Sequence, residues 1–237
     1  MEKLTGHDSE RIRTAAVTMV ILCIVGMAAG WSRMRPPAFL LVNCGDVLRW
    51  REALSMMFFA PLLVLVLWKI FLVASDNKLD AWTTAFVAGV YFLGLGMGMH
   101  DTCDLLGRIY RDASPQLRQS LDFFDNKLGH WVFFVGFVTA SVAAGVQQLR
   151  HPLTGKMTWA QTALFLVLST PMMLVMVTNL MYEKTGVDLC VIAGAIVLVV
   201  GGHCHWRINL RRLPILWVLY PAYTVAVVGT LLYWAMH

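Results

Sequence analysis

Apolar positions in this chain neither alternate nor form stripes; they run together. Seven stretches, at about 14–31, 53–74, 81–99, 130–148, 159–181, 187–202 and 214–235, are apolar almost without interruption. A helix rises 1.5 Å per residue, so roughly 20 apolar residues cross the hydrocarbon core of a bilayer. Unbroken runs of that length predict spanning helices rather than amphipathic ones. Tryptophan stands at or near most of the run ends: Trp31, Trp50, Trp82, Trp131, Trp159, Trp206 and Trp234. Indole rings collect at lipid–water boundaries, so these positions support the segmentation independently of hydropathy. The prediction is an all-α integral membrane protein, a bundle of seven transmembrane helices forming a single transmembrane domain over residues 1–237. No internal repeat or low-complexity tract divides it.

Composition agrees. Of the 237 residues 58% are hydrophobic and only 14% are charged, against about 25% charged in soluble domains. That leaves too little polar surface for a globule in water. The net charge of +5 suits lipid head groups, and nothing in its distribution points to nucleic acid. The partners expected are membrane lipids and other membrane proteins. Five cysteines, Cys23, Cys44, Cys103, Cys190 and Cys204, are scattered without a CxxC pair and predict no disulfide framework.

Residues 1–13 are polar, and the apolar segment after them contains Ala28-Ala29-Gly30. This is like a signal peptide and is read as a retained signal-anchor and first span. Orientation is nearly undetermined. Nine Lys and Arg flank the runs on one face and nine on the other. Arg11 and Arg13, next to the first run, tip the choice to a cytoplasmic N-terminus.

The polar residues that change the picture lie between the third and fourth runs. The third ends in GlyLeuGlyMetGlyMetHisAspThrCysAsp, 94–104, and the fourth is entered through LeuAspPhePheAspAsnLysLeuGlyHisTrp, 121–131. Ionisable groups beside a bilayer are costly and mark functional sites. His100 and Asp104 share a helical face at four-residue spacing; so do Asp122, Asn126 and His130, with Asp125 at the edge. If the two helices pack side by side, the faces converge. His100, Asp104 and His130 are then the expected ligands of a divalent metal ion, zinc favoured. Asp122, Asp125 or Glu183 is a further ligand or the general base. Glu183 and Asp188 fall on the same membrane face by span counting, and His203 and His205 on the opposite one. The bland alternative is a hydrogen-bonded network at wet helix ends.

Other features weigh less. Gly94 and Gly98 form a GxxxG, which reads as close helix packing. Two histidines at similar depth could hold a haem, but the surrounding carboxylates argue against it. Fourteen methionines and the His-Cys-His at 203–205 invite copper, although methionine is a routine filler of apolar helices. Lys69 reads as a snorkelling side chain.

Seven spans with GlyLeuGly-x-x-x-His at the end of one helix and LeuAsp-x-x-Asp near the next resemble the alkaline ceramidase and adiponectin-receptor group of seven-helix membrane hydrolases, over about 35 residues. The resemblance implies an intramembrane zinc that activates water to cleave an amide of a ceramide-like lipid. His100 would be its first histidine ligand, and Asp122 or Asp125 the carboxylate that positions the water. The chain departs from that group in its last run, where residues 214–236 contain no histidine in place of a His-x-x-x-His. The function expected is a metal-dependent membrane enzyme, a hydrolase of lipid or amphipathic substrates. The alternative from a different class is a non-enzymatic accessory or transport subunit, or a haem- or copper-binding protein.

Overall fold

The computed structural model describes residues 5–34, 41–42, 49–110, 112, 114–183, 187–206 and 208–236. Among these, regular structure is helical. Seven rods follow the seven apolar runs: α1 (Gly6–Met34), α2 (Trp50–Ala74), α3 (Ala81–Ile109), α4 (Pro115–Arg150), α5 (Trp159–Glu183), α6 (Val187–Trp206) and α7 (Leu216–Met236). Five of them, α1 to α4 and α7, are long and apolar enough to cross a membrane. In α5 and α6 the apolar stretches are shorter, Trp159–Leu174 and Leu189–His205.

Two rods outrun their apolar cores. The third continues as helix through the whole His-Asp motif to Ile109. The fourth begins at Pro115, fifteen residues before the apolar run at His130. Local chemistry explains the early start. Ser114 caps the helix by accepting from the Leu117 amide at 3.3 Å, and Pro115 takes the first turn, where its missing N–H costs nothing. The polar connection is thus short, and the candidate site lies on helices rather than in a loop.

At the seam between α3 and α4 the two backbones approach closely, and glycine makes it possible. A Cβ added at Gly89 would sit 2.5 Å from the Ala140 amide nitrogen and 2.8 Å from the Gly136 carbonyl oxygen. One at Gly96 would meet the Gly129 carbonyl oxygen at 2.7 Å, and one at Gly136 the Gly89 carbonyl oxygen at 2.5 Å. Gly89 and Gly96 on one helix, Gly129 and Gly136 on the other, are each seven residues apart, two turns along one stripe. Gly94 and Gly98 face open space, so the expected GxxxG is not the packing device. Small residues do the work predicted, on the neighbouring stripe.

The loops at the Gly6 end of α1 are tied by buried polar groups. Asp8, 1% exposed, accepts from the Thr154 amide at 3.0 Å, the Gly155 amide at 3.1 Å and the Thr154 hydroxyl. Arg11 donates to the carbonyls of Val73 at 3.0 Å and His151 at 2.8 Å. Asp76 and Asn77 take left-handed backbone, φ 54° and 58°, a conformation short polar side chains tolerate. That turn presents Asp76 to His7 at 2.8 Å.

Candidate functional site

At the other end of α3 and α4 lies a cluster of side chains that meet one another rather than loop backbone. Gly129 abuts it: a Cβ there would meet the Phe124 carbonyl oxygen at 2.9 Å, so the turn that leads to His130 closes on glycine, and the His100 amide nitrogen would lie in ordinary contact at 3.7 Å. Immediately before it, Phe123–Gly129 winds as a π-helical segment. Such widened turns shift the register of the side chains that follow, and they recur at functional sites. Here Asp125, in the middle of the segment, is set against His100. Its Oδ1 makes a close contact with Nδ1 of the imidazole. His130, on the first regular turn after the segment, brings its ring edge-on to His100, with centroids 5.4 Å apart and planes at 64°. His100 keeps 35% of its side-chain surface exposed and Asp125 21%. The trio is therefore reachable from outside the bundle.

Asp104 does not join it. One turn beyond His100, it is 55% exposed and lies 2.7 Å from Arg51 on α2. The hundred-degree advance per residue leaves position 104 about 40° round the helix from 100, toward α2, where a full positive charge is the better partner. Asp122 is exposed and accepts from Asn126 at 2.6 Å along its own helix. Glu183 closes α5 at the same end of the bundle, and Asp188 follows at the start of α6; both side chains lie outside the described residues. His203, near the end of α6 at the opposite face, packs edge-on against Tyr220 with centroids 6.2 Å apart. Among the described residues no three His, Cys, Asp or Glu side chains are close enough together to hold a metal ion. The set His100, Asp104 and His130 thus reduces to two histidines with Asp125 behind one of them.

The start of α2 supplies residues that sequence reasoning passed over. Glu52, 3% exposed, accepts from the Arg49 amide at 2.7 Å and pairs with Arg51 at 3.3 Å and Arg108 at 3.0 Å. Ser55, in a second π-helical segment (Ser55–Phe59), donates to Asp101 at 2.8 Å. This network pins the end of α3, which carries His100, to α2. Its signal was present in the charged Arg-Trp-Arg-Glu at 49–52, leading into an apolar run on the histidine side.

An apolar cavity of about 200 Å³ lies within the bundle. Leu93 on α3 and Phe133 on α4 line it, two turns from His100 and one from His130. No family model, curated protein or solved structure matches the chain.

Proposed function

We propose that this chain is a seven-span integral membrane enzyme whose reacting centre is His100, held by Asp125 and faced by His130. The observation that carries the reading is the Asp125 carboxylate against Nδ1 of His100. The two atoms make no hydrogen bond as they stand; with a small turn of either side chain the carboxylate accepts from Nδ1–H, fixes the tautomer and leaves Nε2 as the basic nitrogen. Nε2 is then suited to take a proton from a water or hydroxyl, and His130 is placed to return one to a leaving group. Asp125 acts by orienting His100 rather than as a base. The substrate is amphipathic: it would reach the trio from the interface, with its apolar part directed to the side where Leu93 and Phe133 lie.

A second reading is favoured by the ring separation. Tetrahedral zinc with Zn–N bonds of about 2.0–2.1 Å holds two imidazole centroids roughly 5 Å apart, close to the 5.4 Å between His100 and His130. Zinc on His100 Nε2 and His130 would have Asp125 as the orienting carboxylate behind its ligand, and would supply Lewis acidity for hydrolysis.

One experiment separates these readings. The purified full chain is analysed for metal and treated with diethyl pyrocarbonate, with and without chelator, and His100 modification is followed by mass spectrometry. Under the acid–base reading His100 reacts faster than the other histidines, Asp125→Asn slows it roughly tenfold as the carboxylate's support of Nε2 basicity is lost, and chelator changes nothing. One metal ion per chain, lost in His100→Ala, with modification only after chelation, establishes the zinc reading. Ordinary His100 reactivity, indifferent to Asp125→Asn, in a metal-free protein overturns both and leaves a non-enzymatic membrane subunit.

A further inference from the structure

The inward stripe of α1 loses its cover partway along. Ile12, Ala15 and Met19 are buried. At three- and four-residue steps the same stripe continues through Leu22, Cys23 and Gly26, which are only half-buried, and Met27 beside them is 55% exposed. Met19 and these four residues line the apolar cavity. Phe134 and Ile215 line it too, and both are buried. The cavity is therefore closed on its inner side and open along α1. A Cβ added at Gly26 would meet nothing within 4 Å. Met27 stands four residues, about 6 Å along the helix, inside the boundary tryptophan Trp31. In a spanning bundle the opening faces hydrocarbon rather than water.

The shape and chemistry of the wall narrow the occupant. The lining runs from Met19 to Met27 on α1 and from Phe133 to Ala144 on α4, roughly 12 and 16 Å at 1.5 Å per residue. Its long axis follows the helices, which in a membrane run beside the lipid tails. Among the described residues no Asp, Glu, Lys, Arg or His lines it. Cys23 turns its thiol to the Leu168 carbonyl at 3.3 Å, so it asks nothing polar of a guest. Apolar cavities of this kind stay dry and accept apolar guests, and an empty one costs stability in proportion to its volume.

We propose that the cavity holds one acyl chain of a bilayer phospholipid, which enters sideways past Gly26 and Met27 while its head group stays at the interface. Tails are the medium the opening faces, they run parallel to its axis, and they carry no polar group to strand. The bound tail completes the core of the bundle with material from the membrane. The inference uses neither His100 nor Asp125, and failure of that chemistry leaves it intact.

The test uses the full chain in phospholipid nanodiscs doped with one of two photoreactive phospholipids. One carries a diazirine near the end of an acyl chain, the other beside the glycerol, and crosslinked residues are mapped by mass spectrometry. The tail probe should label Phe134, Met176 and Ile215, lining residues too buried for lipid outside the bundle to touch. The glycerol probe should label only outward residues such as Val87 and Leu231. Gly26→Leu fills the opening with about two methylenes' worth of side chain or more, and should lower the buried labelling roughly tenfold. Labelling of Val87 and Leu231 should not change. Gly194→Leu, on an exposed position of α6 where a Cβ also meets nothing within 4 Å, should alter neither. Tail-probe labelling confined to outward residues overturns the proposal, as does buried labelling that survives Gly26→Leu in folded protein. Labelling of the buried residues by a diazirine-bearing free alkane but not by the phospholipid also overturns it, and makes the cavity a closed site for detached hydrocarbon. If Gly26→Leu does not fold, the contrast between the two probes in the unmodified chain decides alone.

Discussion

The two ends of the bundle differ in how they hold their buried charge. At the Gly6 end, buried charged and amide side chains are spent chiefly on backbone, beside the more exposed pairs of Asp76 with His7 and Asp80 with Arg150. Asp8 takes the amides of Thr154 and Gly155, Arg211 and Arg212 donate to the carbonyls of Met157 and Leu153, and Gln148 accepts from the Ile215 amide at 3.2 Å. At the histidine end, side chains meet side chains: Asp125 with His100, Arg51 with Asp104, Arg108 with Glu52, Ser55 with Asp101. Charge committed to loop backbone satisfies polar groups that would otherwise be stranded, and it has little freedom to do anything else. Charge shared between side chains, as in the partly exposed pair of Asp125 with His100, can be redistributed by a proton, an ion or a substrate. The first end is a latch. The second has the character of a site.

Both ends hang on the glycine seam of α3 and α4, so breaking the seam should have the largest effect. Gly136→Ala puts a methyl group where the Gly89 carbonyl oxygen stands 2.5 Å away. The helices must part, and a loss of about 3 kcal/mol or more is expected, with poor yield of folded protein. Gly94→Ala adds the same methyl to open space and should change stability by no more than about 0.5 kcal/mol. Thermal or denaturant unfolding of the two variants in detergent measures the contrast. Equal effects would show that α3 and α4 do not pack along this stripe.

Next in size is the latch itself. Asp8→Ala strands two buried amides and a hydroxyl, and should cost about 3 kcal/mol. Asp125→Ala, at the half-exposed end, should cost no more than about 1 kcal/mol, as exposed ion pairs usually do. The ratio of the two losses measures how unlike the ends are, and a ratio near unity would erase the distinction.

The all-helical fold was largely legible in the sequence because its signal is additive: five rods show about twenty apolar residues each and α5 and α6 shorter stretches, and no single substitution hides that. The site was legible in part. Position along a helix follows from counting, so His100 and His130 were rightly put at one depth. Which side of the helix faces which neighbour does not follow from counting. Asp104 was assigned to the histidines on a four-residue spacing that leaves it 40° off, and Arg51, forty-nine residues from His100, claims it. The π-helical turn that sets Asp125 against His100 shows no distinctive residue in Phe123–Gly129. The choice between Gly94 and Gly96 as seam residues depends on the partner's stripe. The latch was invisible for the same reason: Asp8 and Arg11 read as a polar leader until the loops at Val73 and His151–Gly155 fold against them.

The histidine end can be sharpened without unfolding anything. Asp125→Asn keeps the shape of the side chain and should leave stability within about 0.5 kcal/mol. It should nevertheless slow the modification of His100 more than that of His203 at the opposite face. A variant that alters neither would place Asp125 among the ordinary polar residues of a wet helix end.

The smallest expected effect lies in the latch and is read through pH. His151 follows α4, and burial, together with Lys78, Arg150 and Arg11 nearby, holds its imidazole below the ordinary histidine value; Asp76 opposes this only in part. A depressed value means that the folded chain prefers the neutral ring. Unfolded, the ring takes up its proton near pH 6.5. In the window below that value and above the folded one, the unfolded state binds more protons, so stability rises with pH there. The contribution is fully present above about pH 6.5 and is lost as pH falls through the folded value. Asp80, whose carboxylate is held below its usual range because hydrogen bonds from the Trp82 amide and Arg150 outweigh its burial, gives the same sign in a more acidic window, below about pH 3.9. His151→Asn leaves the backbone carbonyl that Arg11 uses and should flatten the pH dependence of unfolding just below about pH 6.5 while leaving the acid limb set by Asp80 and Asp8. An unfolding curve whose slope in that window is unchanged by the substitution would mean that His151 titrates alike in both states, and that the latch at this point is made by backbone alone.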